Sequence, residues 1–130
     1  MNHESTRHRD RRLAAQPARE RLTMRVQRCE YCLQPAAPEN LDCHELVPGD
    51  SRTKAIDQEY ALLCVTRLCH AKIEQLTIPN QLAYLYLADS PRFDLSAFHK
   101  LIGRNWPSWD EVSFFVTAII ESRQALTERI

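Results

Sequence analysis

The sequence predicts an α+β fold in which a short metal-stapled ββα core precedes a helical extension and follows a basic N-terminal arm. Three observations carry that expectation. Two cysteine pairs, Cys29-Glu-Tyr-Cys32 and Cys64-Val-Thr-Arg-Leu-Cys69, are separated by 31 residues. Two short apolar runs lie in the same segment, and the last third of the chain repeats its apolar residues at helical spacing. A length of 130 residues supports one domain, or one domain and a tail, and excludes a large multidomain enzyme. With 44% hydrophobic and 26% charged residues the chain is globular, and no apolar run is long enough to span a bilayer. The polar, Arg-rich start does not read as a secretory signal, so a cytoplasmic location is expected. In that compartment the five cysteines read as metal ligands or buried thiols rather than disulfides.

The formal net charge of zero conceals an asymmetry. Arg7, Arg9, Arg11, Arg12, Arg19, Arg21, Arg25 and Arg28 face only Glu4, Asp10 and Glu20, so the first 28 residues carry +5 and the remainder −5. Guanidinium groups bind phosphate bidentately and stay charged, which suits a nucleic-acid partner; a solvated leader is the bland alternative. Pro17 and the weak periodicity around Leu13 and Leu22 predict a mostly disordered arm over residues 1–27.

The core is expected over residues 28–78. Turns at Pro35-Ala-Ala-Pro38 and Val47-Pro-Gly-Asp50 bracket a strand at Asn40 to Val47, and Tyr60 to Val65 reads as a second strand. Cys69 to Leu76 looks helical, with Pro79 ending it. Residues 79–130 read as all-helical: a segment to Ala88 ended by Ser90-Pro91, a helix capped by Asp94 and closed by Gly103, and a long helix opened by the capping box Ser108-Trp-Asp-Glu111. On that last helix Val112, Phe115, Val116, Ile119, Ile120 and Leu126 form an apolar stripe, suited to core packing or to a homodimer contact. Trp106 and Trp109 fit a hydrophobic staple beside the box better than a base-stacking role.

Paired thiolates from two turns supply the tetrahedral soft-donor set that structural Zn²⁺ takes, so Cys29, Cys32, Cys64 and Cys69 are the expected ligands. The second pair is wider than usual, which leaves Cys43 as a competing fourth ligand. A core this short buries too little apolar surface to stand without such a staple. A zinc-anchored ββα unit whose last cysteine opens the helix is the arrangement of a treble-clef finger. Strand alternation puts Asp42 and His44 on one face and Cys43 and Glu45 on the other. His44 and His70 then converge across the groove between hairpin and helix, which suggests a second, catalytic metal.

Cys29-x-x-Cys32, Leu41-Asp-Cys-His-Glu-Leu46 and Cys64 with Cys69-His70 resemble the HNH (His-Me finger) endonucleases, especially their small zinc-stapled bacterial and phage members. The resemblance runs over about residues 28 to 105 and takes in Pro79-Asn-Gln-Leu-Ala83 and Phe93-Asp-Leu95. It implies a nuclease that hydrolyses DNA phosphodiester bonds with one divalent metal (Mg, Mn or Zn) beside the structural zinc, with a histidine as general base. By position His70 matches the helix-borne metal ligand, and His44 either the strand ligand or the base. Asp42 supplies a carboxylate ligand if His44 is the base, Glu45 stands where paired-His members have their base, and Glu74 where many have a final His. Those departures also fit a zinc-finger DNA-binding module that has lost cleavage, or a protein-interaction role. Arg52 and Lys54, between the strands, join Arg7, Arg9, Arg11 and Arg12 as expected phosphate contacts.

Overall fold

The computed structural model describes residues 6–47 and 58–128, and the side chains of these except at 6–12, 14 and 15. Arg52 and Lys54 lie outside the described residues, as do the side chains of Arg7, Arg9, Arg11 and Arg12. The described chain is α+β, with five α-helices and one two-stranded antiparallel sheet.

The arm is not disordered along its length. Helix α1 spans Thr6–Val26, about 30 Å, and Pro17 lies inside it. Leu13, Gln16, Glu20 and the repeated Ala and Arg are strong helix formers, and together they outweigh the one hydrogen bond that proline removes. Packing supplies the rest. Leu22 is fully buried against Leu41, Leu62 and Cys64, with Val26 beside them. Arg19 pairs with Glu45 at 2.8 Å and Arg25 with Glu59 at 3.2 Å. The second half of the expected arm is therefore the cover of the sheet, and the boundary at residue 27 does not separate a tail from a core.

After α1 the chain reverses through a tight knuckle. Leu33 N–H donates to Cys29 O at 2.7 Å and Cys29 N–H to Gln34 O at 2.8 Å, with Leu33 in the left-handed region at φ 68°. Strand β1, Leu41–Glu45, then pairs with β2, Leu62–Thr66, in the register Asp42↔Val65, Cys43↔Cys64 and His44↔Leu63. Alternation splits the hairpin between two cores. Leu62 and Cys64 face α1, whereas Leu63 and Val65 face the main core formed by the later helices. Helix α2, Arg67–Ile73, follows β2 directly.

The helical extension follows its local signals. Helix α3 is Ile78–Ala88, and Pro79 sits in its first turn, where a missing N–H costs nothing, rather than ending the preceding helix. Helix α4 is Leu95–Ile102: the Asp94 carboxylate accepts from Ala97 N–H at 3.0 Å, and Gly103 closes it at φ 76°. Helix α5 is Trp109–Glu128, opened by Ser108 and Glu111 bonding each other's backbone N–H at 3.2 Å. Val112, Val116 and Ile119 seal α5 against the core, while Ile120 and Leu126 of the predicted stripe stay 40% and 60% exposed. Trp109 packs edge-on to Tyr86 at 5.0 Å and Phe93 at 5.9 Å, so it ties α5 to α3 and to the segment before α4 rather than stapling its own helix end. Among the described residues no helix is long and apolar enough to cross a membrane.

A buried ion pair ties the knuckle to the extension. Glu30 and Arg92 meet at 2.6 and 3.1 Å with their side chains 1% and 4% exposed. Glu30 also accepts Cys64 N–H at 2.9 Å, and Arg92 donates to Leu62 O, Glu59 O and Asp89. Burial alone would lower the Arg92 pKa, but the Glu30 carboxylate outweighs it and raises it.

Candidate metal centres

Among the described residues, two clusters of side chains that could hold a metal ion form around α2. In the first, the sulfurs of Cys29, Cys32 and Cys69 lie within 4.8 Å of one another. The knuckle brings Cys29 and Cys32 to one side, and the passage from β2 into α2 delivers Cys69. Burial pushes the Cys29 thiol up, but the backbone N–H groups of Cys32, Thr66 and Tyr31 and the Cys32 thiol overcome it. The thiol sits at about 7, so a thiolate forms readily near neutral pH. Burial raises Cys69, opposed by the Thr66 hydroxyl.

Cys64 is not among these three. Because strand residues alternate, Cys64 points to the α1 face, where it opposes Cys43 and donates its S–H to it. That hydrogen bond and burial raise the Cys64 pKa, while accepting it lowers that of Cys43. Cys43 does not replace a ligand either, since both thiols are on the wrong face. The residue near the fourth corner is Thr66: its hydroxyl is 3.8 Å and its N–H 3.5 Å from Cys29 Sγ, and the hydroxyl also bonds Cys69. Thr66 and Cys69 thus stand at the same x-x spacing as the first pair, and Cys64 lies in the strand before them.

In the second cluster His44, His70 and Glu74 offer ligand atoms within 4.8 Å of one another. His44 comes from β1, and His70 and Glu74 from one face of α2 and its C-cap. His44 Nδ1 is 3.1 Å from His70 Nε2, which is 3.2 Å from Glu74 Oε1. The outer nitrogens are held from behind. His70 Nδ1 meets Asp42 Oδ2 at 3.1 Å, and a carboxylate only accepts, so that nitrogen carries the proton. His44 Nε2 meets Gln81 Oε1 at 2.8 Å. Gln81 donates its amide N–H to Leu76 O at 2.8 Å, which turns its oxygen toward His44 and makes Nε2 the donor.

Both imidazoles therefore turn a lone pair, and Glu74 a carboxylate oxygen, toward one point. Two lone pairs at 3.1 Å repel each other unless a cation or a proton stands between them. Two histidines and one carboxylate, each ring fixed by an outer acceptor, are a donor set that could hold a metal ion. His44 and Gln81 are buried, at 7% and 4% exposure, whereas Glu74 is 57% exposed on the solvent side.

Asp42, His44 and His70 thus come together as their spacing predicts, with Asp42 on the side of the His70 ring away from His44 and Glu74. Glu45 does not join them. It lies on the α1 face and its carboxylate is taken by Arg19 at 2.8 Å, so the position expected to hold the base faces away. Gln81 had a sequence signal without a role: a polar residue one turn before Leu85 on the buried face of α3 has to find a partner inside. The chain matches no protein-family model, no curated protein and no solved structure.

Proposed function

We propose that the protein is a small HNH-like endonuclease that hydrolyses DNA phosphodiester bonds with one divalent metal ion, on a ββα core of treble-clef type stapled by zinc. The observation that carries this is the convergence of His44, His70 and Glu74 on one point, with both rings held in the tautomers that aim their lone pairs inward. Two nitrogen donors favour Mn²⁺ or Zn²⁺ over Mg²⁺. An ion held there would supply charge stabilisation to the phosphodiester under attack. His44 and His70 bind and orient; Asp42 and Gln81 keep those rings in place.

With Glu45 turned away, the described carboxylates beside the imidazoles are Asp42 and Glu74. Asp42 is occupied by His70 and lies 3.9 Å from Arg67. Glu74 is left to accept the proton of the attacking water, and it would also help to hold the ion. Arg67, 72% exposed beside Asp42, brings positive charge to the rim for the DNA backbone. The test is nicking of supercoiled plasmid by purified protein with Mn²⁺, Zn²⁺ or Mg²⁺ against a chelated control. Metal-dependent conversion to open circles supports the proposal. Binding of duplex DNA with no cleavage makes the protein a zinc-finger binding module instead, and failure to bind at low salt removes both readings.

The knuckle is assigned to structural zinc because three sulfurs select a soft ion. Thr66 is the weak corner. Thr66→Cys is expected to tighten zinc binding by about tenfold or more, which takes only ~1.4 kcal/mol of added ligand strength. Slower loss of zinc to a chromogenic chelator checks it, and an unchanged rate would place the fourth ligand elsewhere.

DNA attraction is assigned to the basic first half of α1. Deleting residues 1–27 would also strip Leu22 from the sheet, so substitution is the cleaner experiment. Replacing Arg7, Arg9, Arg11 and Arg12 with alanine is expected to weaken DNA binding and to flatten the log–log salt slope by about 0.9 for each phosphate no longer neutralised. Fluorescence anisotropy across a salt series reads both, and an unaltered slope would leave this stretch as a leader only.

A further inference from the structure

Cys43 and Cys64 have no part in either metal cluster, yet their placement is specific. The register opposes them directly across the hairpin. Leu46 N–H bonds Ala61 O, so alternate pairs along the ladder place Cys43↔Cys64 at a non-hydrogen-bonded position. The Cys64 backbone agrees, because its N–H and its C=O are both engaged by Glu30 rather than by β1. At such positions the Cα atoms stand about 4.5 Å apart, inside the span that a disulfide bridges. Both side chains point to the α1 face, where they belong to the same apolar cluster around Leu22. Cys64 is fully buried, while Cys43 is partly exposed, beside the Arg19 carbonyl.

We infer that Cys43 and Cys64 are a redox modification site, closed to an intramolecular disulfide by a peroxide and reopened by a dithiol reductant. The accessible Cys43 sulfur attacks one peroxide oxygen, the O–O bond breaks, and a sulfenic acid and one water form. The Cys64 sulfur then attacks the Cys43 sulfur and displaces the sulfenic oxygen as a second water. Two thiols and one hydrogen peroxide give one disulfide and two waters, with two electrons passing from sulfur to oxygen. The bond would lock the hairpin whose opposite face carries Asp42 and His44, and it leaves the knuckle cysteines to their metal. This inference stands apart from the nuclease proposal, since it needs only the strand register.

The test uses the zinc-loaded full chain, treated with a stoichiometric amount of hydrogen peroxide, quenched by alkylation under denaturing conditions and mapped by mass spectrometry. The expected result is one cross-linked peptide joining Cys43 to Cys64, lost on reduction with a dithiol, with bound zinc unchanged. In Cys64→Ala, Cys43 should instead accumulate as a sulfenic acid that a dimedone probe captures. Oxidation that joins Cys29, Cys32 or Cys69 and releases zinc, or no cross-link between Cys43 and Cys64 in the unsubstituted chain, overturns the inference. The mapping of the unsubstituted chain decides it even if the variant fails to fold.

Discussion

On the proposed nuclease reading, replacing His70 with alanine is expected to lower metal-dependent plasmid nicking by about 100-fold or more, at least what the loss of a residue supporting a metal ligand costs. The ring is the hub of the second cluster, since its Nε2 lies 3.1 Å from His44 and 3.2 Å from Glu74 while its Nδ1 is held by Asp42. Truncation removes a donor and releases Asp42 and Glu74 together. Because the side chain is 27% exposed and stands outside both hydrophobic clusters, folding and zinc content should persist. Two companion variants make the result specific. Glu74→Gln keeps an oxygen donor but cannot take a proton, so it should bind the ion yet nick poorly. Glu45→Ala should nick normally, because its carboxylate serves Arg19 in a part-buried pair on the other face of the strand, worth about 1 kcal/mol. Loss of activity in Glu45→Ala with full activity in Glu74→Gln would return the base to the strand position and sink this assignment.

The second large effect concerns stability. Arg92→Leu is expected to destabilise the protein by about 3–5 kcal/mol, because it strands a buried carboxylate. Glu30 would be left without either guanidinium hydrogen bond, and the carbonyls of Leu62 and Glu59 would each be short of a donor. Glu30→Leu should cost a similar amount by leaving the guanidinium unpaired and the Cys64 N–H without its acceptor. The double variant should be less damaging than the sum of the two, since no buried charge is then left alone. Urea denaturation of the four zinc-loaded proteins gives the cycle. Strict additivity would mean that the two side chains act independently.

These two cases differ in how far the residues are legible in the sequence. The helix signals of the C-terminal third are local: Asp94 reaches three residues to Ala97, and Ser108 and Glu111 close on each other. Such bonds depend on the neighbouring backbone alone, so the sequence pattern is sufficient. Strand period likewise puts Asp42 and His44 on one face wherever the strand packs. Applied consistently, it also separates Glu45 and Cys64 from the two centres, but cysteine spacing and family likeness each point the other way. The helical state of α1 is hidden by Pro17 and by the weakness of its apolar pattern, in which Leu22 is the main buried anchor.

What the sequence by itself determined is the α+β class, the caps of the last two helices, the residue types of the two candidate metal clusters and the face on which each strand residue lies. All of these follow from hydrogen bonds and periodicities spanning a few residues. Only the tertiary structure decided that Thr66 rather than Cys64 stands at the three-thiol knuckle, that Gln81 sets the tautomer of His44, and that Glu30 and Arg92 neutralise each other. Gln81 is 37 residues from His44, and Arg92 is 62 from Glu30. Pairs that distant meet only when whole elements pack, and the packing is driven by apolar burial that carries no record of which polar partner it will enclose.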